Sequence, residues 1–157
     1  MLHRLIYASH LARGVERELS PLLQDILAAS LRHNLDHRVT GLLIAHDGWF
    51  LQALEGPPEG VRAIFERIAE DDRHTAPVVL DRGPVETRVF SRWIMCARAL
   101  AGRDGAILAR LGMDRDFDPV RQTTRPVMPL MLAIAREHIE TLSVQHEHLT
   151  TGLSFAA

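Results

Sequence analysis

Two apolar runs, residues 39–45 and 49–55, are separated by the short polar turn His46-Asp47-Gly48. An Asp-Gly pair between two such runs is a strong signal for a β-hairpin, because both residues tolerate the positive φ angles of a tight turn. One helical stripe precedes this hairpin and a second follows it, and a further strand-like run lies outside each helix. The sequence therefore predicts the element order βαββαβ.

The outer elements have signals of their own. Ser20-Pro21 is a typical N-cap and first-turn pair for the first helix. Strands are predicted over residues 2–9 and 77–80, and residues 94–100 are predicted to add a fifth. This order is typical of an α+β, ferredoxin-like βαββαβ sheet with two helices on one face, here extended by the fifth strand. In that topology the first and third strands are central neighbours.

The composition excludes several functional classes. Eighteen basic and 20 acidic side chains give a net charge of -2, without the positive excess that nucleic-acid binding requires. The single cysteine, Cys96, cannot form an internal disulfide and lacks the companions of a zinc or redox motif. No apolar run approaches the ~20 residues that span a bilayer. We therefore expect a soluble, cytoplasmic protein without a nucleic-acid or membrane partner.

The chain changes character after the predicted sheet. A short helix is predicted at 104–111, a polar linker at 112–125 and an amphipathic helical stripe at 127–142. We therefore divide the sequence into a domain over residues 1–101 and a C-terminal helical extension over residues 102–157. The stripe is expected to pack on the sheet face that the two helices leave bare, with an oligomer contact as the alternative.

Polar residues interrupt the apolar pattern at the same end of both helices. The stripe of the first helix continues into Ser30, His33 and Asn34, and that of the second ends in Asp71 and Asp72. Polar groups on a core-facing ridge need partners. Their occurrence in both helices favours a binding site over ordinary helix ends that meet solvent.

The strands carry similar interruptions. Gln52 alternates with Phe50 and Leu54 on one face, and Tyr7, the only tyrosine, lies in the first strand. A buried amide without a partner costs about 1–3 kcal/mol, so Gln52 needs one. If the first and third strands are neighbours, Tyr7 and Gln52 face each other beneath the helices. A slot of this kind suits a flat heteroaromatic ring with hydrogen-bonding edges.

These positions resemble the BLUF family, the blue-light sensors that use flavin. The ordered set is specific although no single segment is. The matching segments are Leu5-Ile6-Tyr7-Ala8-Ser9, Ser30-Leu31-Arg32-His33-Asn34, Thr40-Gly41-Leu42-Leu43, Phe50-Leu51-Gln52-Ala53-Leu54-Glu55-Gly56, Asp71-Asp72-Arg73-His74 and Trp93-Ile94-Met95.

The resemblance implies a noncovalent FAD between the two helices, with FMN or riboflavin as alternatives. In this family the residues at Tyr7 and Gln52 form the photoactive pair, and those at Trp93 and Met95 pass the change onward. Asn34 corresponds to the amide at the pyrimidine edge of the ring. The implied cofactor-binding residues are Tyr7, Ser30, His33, Asn34, Gln52, Arg67, Asp71, Arg73 and His74.

The resemblance also implies a mechanism without substrate turnover, so enzymatic activity is not expected. Blue light excites the flavin, Tyr7 gives an electron, and a proton moves through Gln52. Gln52 then rotates or changes tautomer and strengthens its bond to the C4 carbonyl, which shifts the absorption to longer wavelength. The signal passes as a population shift to a separate downstream signalling protein, and a homo-oligomer is expected.

Two other functions are compatible with the residue pattern. A flavin-dependent oxidoreductase would need access for a substrate and an electron donor, and the sequence shows no separate constellation for either. A flavin-free ferredoxin-like interaction module would share the fold and be colourless when pure. His33 and His37 have helical i, i+4 spacing but no accompanying carboxylate or cysteine set, so a metal site is not expected.

Overall fold

The computed structural model describes residues 1–12, 19–91, 95–121 and 127–153, with side chains of the last helix described through residue 140. A short 3₁₀ turn (Gly102–Asp104) precedes the third helix. The strands and helices in chain order are β1 (Leu2–Leu11), α1 (Leu19–Asp36), β2 (Thr40–His46), β3 (Trp49–Gly56), α2 (Pro58–Ala69), β4 (His74–Val85), β5 (Cys96–Ala99), α3 (Gly105–Arg110) and α4 (Val127–Leu153).

The strands form one mixed sheet in the order β4-β1-β3-β2-β5. All neighbours are antiparallel except β2 and β5, which are parallel. The predicted hairpin is confirmed, with Asp47 at φ 48° and Gly48 at φ 76° in its turn. Both angles are positive, as the favoured two-residue hairpin turn requires. The ferredoxin-like order and the central β1–β3 pair are confirmed as well.

The sheet has a separate apolar core on each face. On the first face, which we call the front, α1 and α2 bury Leu22, Leu23 and Ile64 against strand residues such as Leu43 and Phe50. The front face also carries Tyr7 and Gln52, which are paired across β1 and β3. Two helices packed on one face of a sheet bury the apolar side chains of that face.

On the opposite face, which we call the back, α4 packs against the strands. Its residues Leu130, Met131 and Ile134 are fully buried with Leu42 and Leu51 of the sheet. The C-terminal stripe thus covers the face that α1 and α2 leave bare, as expected. Because the described extension shares its core with the sheet, the division at residue 101 stays a prediction.

Several boundaries differ from the sequence prediction. The fourth strand was predicted over residues 77–80 but runs from His74 to Val85, because backbone pairing with β1 holds this largely exposed edge strand along its length. The second helix ends at Ala69, before the two aspartates that we assigned to its last turn. The segment predicted as a polar linker buries Met113 and Phe117 against the back face.

Two further findings concern the length of the fifth strand and the search for membrane-spanning helices. The fifth strand is confirmed but spans Cys96–Ala99 only, so Met95 directly precedes it. Among the described residues, no helix has the length and apolar character to cross a membrane.

Candidate functional site

A cavity of about 600 Å³ opens between α1 and α2 above the front face of the sheet. This volume lies within the range of small-molecule sites. The cavity lining is formed by Ala29, Ser30, His33, Asn34, Gln52, Ile64, Arg67, Ile68, Glu70, Asp71, Asp72 and Arg73. Seven of the nine residues implied at the flavin therefore surround one space.

Tyr7 and Gln52 form a buried hydrogen-bonded pair at the floor of this site. They are register partners in β1 and β3, and the Tyr7 hydroxyl donates to Gln52 Oε1 at 2.5 Å. Both side chains are almost fully buried. Burial raises the pKa of Tyr7 far above its ordinary value, and the negative charge of Asp71 raises this pKa further. Tyr7 therefore stays protonated and is the donor to Gln52.

The other end of the Gln52 amide contacts Met95. Gln52 Nε2 lies 3.4 Å from Met95 Sδ, a weak acceptor, and Met95 is buried just before β5. An amide nitrogen carries two hydrogens, so the second can serve a ligand in the cavity. A continuous chain of side-chain contacts thus joins Tyr7, Gln52 and the start of β5. Trp93, the other residue implied in this path, lies outside the described residues.

The two helices meet across the cavity through a polar contact. Arg67 Nη2 of α2 lies 3.1 Å from His33 Nε2 of α1, and both side chains line the cavity. Ser30 lies one turn earlier on α1, and Asn34 is buried near the end of that helix. The polar end of the α1 stripe therefore faces the site.

An ion pair borders the cavity after α2. The guanidinium of Arg73 bonds both carboxylate oxygens of Asp71, and the Arg73 backbone N–H also donates to Asp71. The hydrogen bonds from Arg73 hold the pKa of Asp71 below its usual range, although burial opposes this shift. Asp71 is therefore an anion near neutral pH, and its partner offers a fixed cation at the cavity edge.

His74 is placed differently from the other residues of the implied set. It begins β4 outside the cavity lining, and its ring centroid lies 6.2 Å from Tyr7 and 6.1 Å from Phe50. Burial lowers its pKa, and its buried Nδ1 has no hydrogen-bond partner among the residues that the structure describes. His74 is therefore a neutral ring beside Tyr7 and not a wall of the cavity.

A match to the BLUF family, described as sensors of blue-light using FAD, covers residues 2–96. This chain belongs to the BLUF family. The photoactivated adenylate cyclase subunit beta of Euglena gracilis is 33% identical over 96 residues, which are 60% of this chain and 11% of the relative. The blue light- and temperature-regulated antirepressor BluF of Escherichia coli (strain K12) is 37% identical over 76 residues, or 47% of this chain and 18% of the relative.

Solved BLUF structures match over more of the chain. BlsA in its photo-activated state has a TM-score of 0.72 and 29% identity, covering 84% of this chain and 95% of that one. BlrB, a BLUF protein in its dark state, has a TM-score of 0.62 and 25% identity, covering 82% and 96%. By contrast, the BLUF chain spans only 11% and 18% of the two curated relatives described above.

The cavity fits a flavin in the chemistry of its polar groups. Two buried amides, Asn34 and Gln52, offer donors and acceptors of the kind that the edge of a flavin ring needs. The guanidiniums of Arg67 and Arg73 lie at the same cavity and can pair with a phosphate. Ile64 and Ile68 supply the apolar surface that a flat ring contacts. A BLUF domain is a blue-light sensor that binds flavin, and this cavity has the groups for it.

Two charged residues with several hydrogen bonds or ion pairs, Glu55 and Arg98, are absent from the candidates that the sequence predicts. Glu55 is fully buried and accepts hydrogen bonds from Arg4, Val89 and Phe90. Arg98 on β5 is buried with two carboxylates. Only a charged residue within an apolar strand could have marked either position, and that signal does not name the partner.

Proposed function

We propose that this BLUF chain binds FAD noncovalently between α1 and α2 and converts blue light into a rearrangement of the Gln52 side chain. The observation that carries this proposal is the chain of contacts from the Tyr7 hydroxyl through the Gln52 amide to Met95 Sδ. Tyrosine can give an electron and a proton, and glutamine presents an acceptor and a donor at opposite ends. The Tyr7–Gln52 bond supports proton movement from the phenol to the amide, and the Gln52–Met95 contact supports passage of the rearrangement to β5.

When bound, the flavin supplies absorption of blue light and accepts an electron and a proton. Tyr7 gives up its hydroxyl proton to Gln52 Oε1, along the 2.5 Å hydrogen bond already formed in the resting protein. Gln52 then rotates or changes tautomer, and the electron and the proton both return to Tyr7, which would leave a bound flavin oxidised. Because burial strongly raises the Tyr7 pKa, Tyr7 is again a neutral phenol once both have returned.

Rearrangement of Gln52 changes what Met95 contacts. In the resting protein Met95 Sδ faces an N–H donor of Gln52. A rotated or tautomeric side chain turns an oxygen or a different donor toward this sulfur, which alters the packing at the start of β5. The chemistry at the cavity is thereby converted into a small displacement of a strand edge.

The remaining implied residues are assigned to the cofactor. Asn34 pairs with the pyrimidine edge of the ring, while Ser30 and His33 line its pocket. Arg67 and Arg73 bind the phosphate end, where Asp71 orients Arg73 through their ion pair. FMN or riboflavin would use the same ring contacts and fewer of the phosphate contacts.

The output is passed to a protein effector without catalysis by this chain. Among the relatives, the curated names describe light-activated cyclases and an antirepressor, so BLUF domains serve several kinds of effector. The family match of this chain ends at residue 96, and the residues that follow form α3 and α4. We assign them to signal transfer toward a separate signalling protein in the cytoplasm, with self-association of the BLUF chain as part of that assembly.

The visible absorption spectrum before, during and after blue illumination tests the proposal. Wild-type protein is expected to show a reversible red shift of oxidised flavin. Tyr7→Phe and Gln52→Leu are expected to bind flavin and lose the shift, because each removes one end of the hydrogen bond. Gln24→Leu, at an exposed position of α1, is the matched control and keeps the shift. A normal red shift in Gln52→Leu would refute the proposed role of this amide.

A further inference from the structure

Glu55 carries an unusual number of hydrogen bonds for a residue with no part in the light reaction. It is fully buried in β3, the central strand, and its carboxylate lies toward the back face. Oε1 accepts from Arg4 Nε at 2.7 Å, and Oε2 accepts from the backbone N–H groups of Val89 and Phe90 at 2.8 Å each. A buried carboxylate needs a compensating positive charge, and Arg4 alone supplies it. The two backbone N–H bonds are therefore additional to charge compensation.

The main chain of Glu55 holds the same segment a second time. Its carbonyl oxygen accepts from Arg88 Nη1 at 2.5 Å, and Arg88 Nη2 donates to the carbonyl of Arg38 at 2.5 Å. Three consecutive residues, 88–90, are therefore attached to β3 and to Arg38, which lies just before β2. These residues lie in the connection between β4 and β5.

The same strand also holds the far end of this connection. Gln52, three residues before Glu55, contacts Met95 on the front face. Three residues of strand are about 10 Å, and β3 is held on both sides by β1 and β2. β3 therefore contacts the connection at two points. Glu55 holds residues 88–90, and Gln52 contacts Met95. If Gln52 changes its contact, the hydrogen bonds at residues 88–90 still hold the described part of the connection.

We propose that Glu55 is a positioning residue that sets Met95 against Gln52 from the opposite side of the sheet. This inference rests on the proposed function of Gln52. Two backbone N–H groups bonded to one carboxylate oxygen fix both the position and the orientation of the backbone at residues 89 and 90. A single hydrogen bond would leave the orientation free. Loss of this attachment leaves Met95 close to Gln52 but no longer held in one place, because the connection can then adopt other conformations.

A purely structural role would predict a different pattern of effects. If Glu55 only neutralised Arg4, the double change Arg4→Gln/Glu55→Gln would lower stability least. The position of Met95 would then be the same in Arg4→Gln, in Glu55→Gln and in the wild type. A positioning role requires an oxygen acceptor for the two N–H groups. Glu55→Ala removes that acceptor, whereas Arg4→Gln combined with Glu55→Gln keeps it without burying an unpaired charge.

The experiment follows the methyl group of Met95 by carbon-13 methionine NMR in flavin-loaded protein, in darkness and under blue light. The signal is assigned by its loss in Met95→Leu. Glu55→Ala is expected to move the Met95 signal in the dark and to abolish its light-dependent change, while the flavin red shift persists. The double variant Arg4→Gln/Glu55→Gln is expected to keep the wild-type signal. An unmoved Met95 signal in folded Glu55→Ala overturns the inference.

If Glu55→Ala does not fold, Arg88→Gln supplies the second test, because it removes the three guanidinium hydrogen bonds to Thr40, Glu55 and Arg38 without burying a charge. A smaller displacement of the Met95 signal is then expected, and none for Arg82→Gln at an exposed position of β4. An unmoved signal in Arg88→Gln overturns the inference. The two proposals fail separately. A wild-type protein without a red shift refutes the proposed function, whereas a red shift with a fixed Met95 in Glu55→Ala refutes only the role of Glu55.

Discussion

The burial of the Tyr7 side chain affects both the chemistry of the site and the stability of the protein. Its ring packs edge-on against Phe65 of α2 with a centroid distance of 5.3 Å, and its hydroxyl contacts Gln52 instead of water. In this surrounding the phenolate form is strongly disfavoured. The pair was expected from the sequence because strand alternation places both side chains on one face. Its hydrogen bond depends on a β1–β3 register that the sequence does not specify.

The raised pKa of Tyr7 predicts a loss of stability in alkaline solution. An unfolded tyrosine ionises near pH 10, and the folded protein resists ionisation. The stabilising contribution is therefore complete below about pH 10 and falls as the pH rises above it. We expect the free energy of unfolding to drop by about 1.4 kcal/mol per pH unit in this range. Denaturant unfolding between pH 8 and 11 measures the slope.

Two features of the chain make this measurement clean. The chain has one tyrosine, so tyrosinate absorption reports Tyr7 alone, and it has no lysine that would ionise in the same pH range. Cys96 contributes a slope of the same sign, because burial raises its pKa to about 11, so the series is recorded in a Cys96→Ala background. Tyr7→Phe in that background is the control and should flatten the slope. Tyrosinate absorption near pH 10 in the folded protein would contradict the prediction.

At the level of elements, the parts predicted well are those whose signal is local. The hairpin depends on its turn residues, and α1 and α2 depend on their apolar spacing. The long β4 was underestimated because an edge strand gains its order from backbone bonds to β1, which need no apolar run. The polar ends of the two helices predicted most of the cavity. The attachments of Glu55 were not predictable, because Val89 and Phe90 are 34 and 35 residues away.

A cluster of three charged side chains joins β5 to α4, and its burial leads to a prediction about stability. Arg98 Nη2 bonds Asp104 Oδ1 at 2.5 Å and Glu137 Oε2 at 2.9 Å. Arg98→Met strands the fully buried Asp104 carboxylate, so we expect a loss of about 3–5 kcal/mol. Glu137 is one-third exposed, so Glu137→Gln should cost only about 1 kcal/mol. Denaturant unfolding of both variants gives the two losses.

Because β5 also follows Met95 directly, the cluster offers a path from the light site to the last helix. Glu137→Gln is expected to speed hydrogen exchange in α4 while the flavin spectrum is unchanged. Glu140→Gln, which removes the same charge from an exposed position of α4, is the matched control. Equal losses of stability in Arg98→Met and Glu137→Gln would show that Asp104 finds another partner, contrary to this prediction.

In the molecule as a whole, the sheet lies between two unlike layers. The front layer of α1 and α2 is open enough to hold a cavity of about 600 Å³, whereas the back layer buries Leu130, Met131 and Ile134 completely. The candidate site thus lies on the front face, whereas both faces bury apolar side chains that stabilise the sheet. Each fully buried side chain of this size contributes about 1.5–3 kcal/mol, and a domain is stable by only about 5–15 kcal/mol. The extension is therefore part of what makes the sheet stable.

The packing of α4 on the back face predicts how the chain responds to truncation. A fragment of residues 1–101 leaves the back face bare, and we expect it to aggregate or to lose cooperative unfolding, as measured by size-exclusion chromatography and circular dichroism. Within the full chain, Met131→Ala should cost about 2–5 kcal/mol, and Met128→Ala, at the half-buried start of α4, distinctly less. The red shift should survive in both point variants, because neither residue reaches the front face. A monomeric, cooperatively folded fragment 1–101 would instead establish the sheet as an independent domain and leave α4 free to move as the output element.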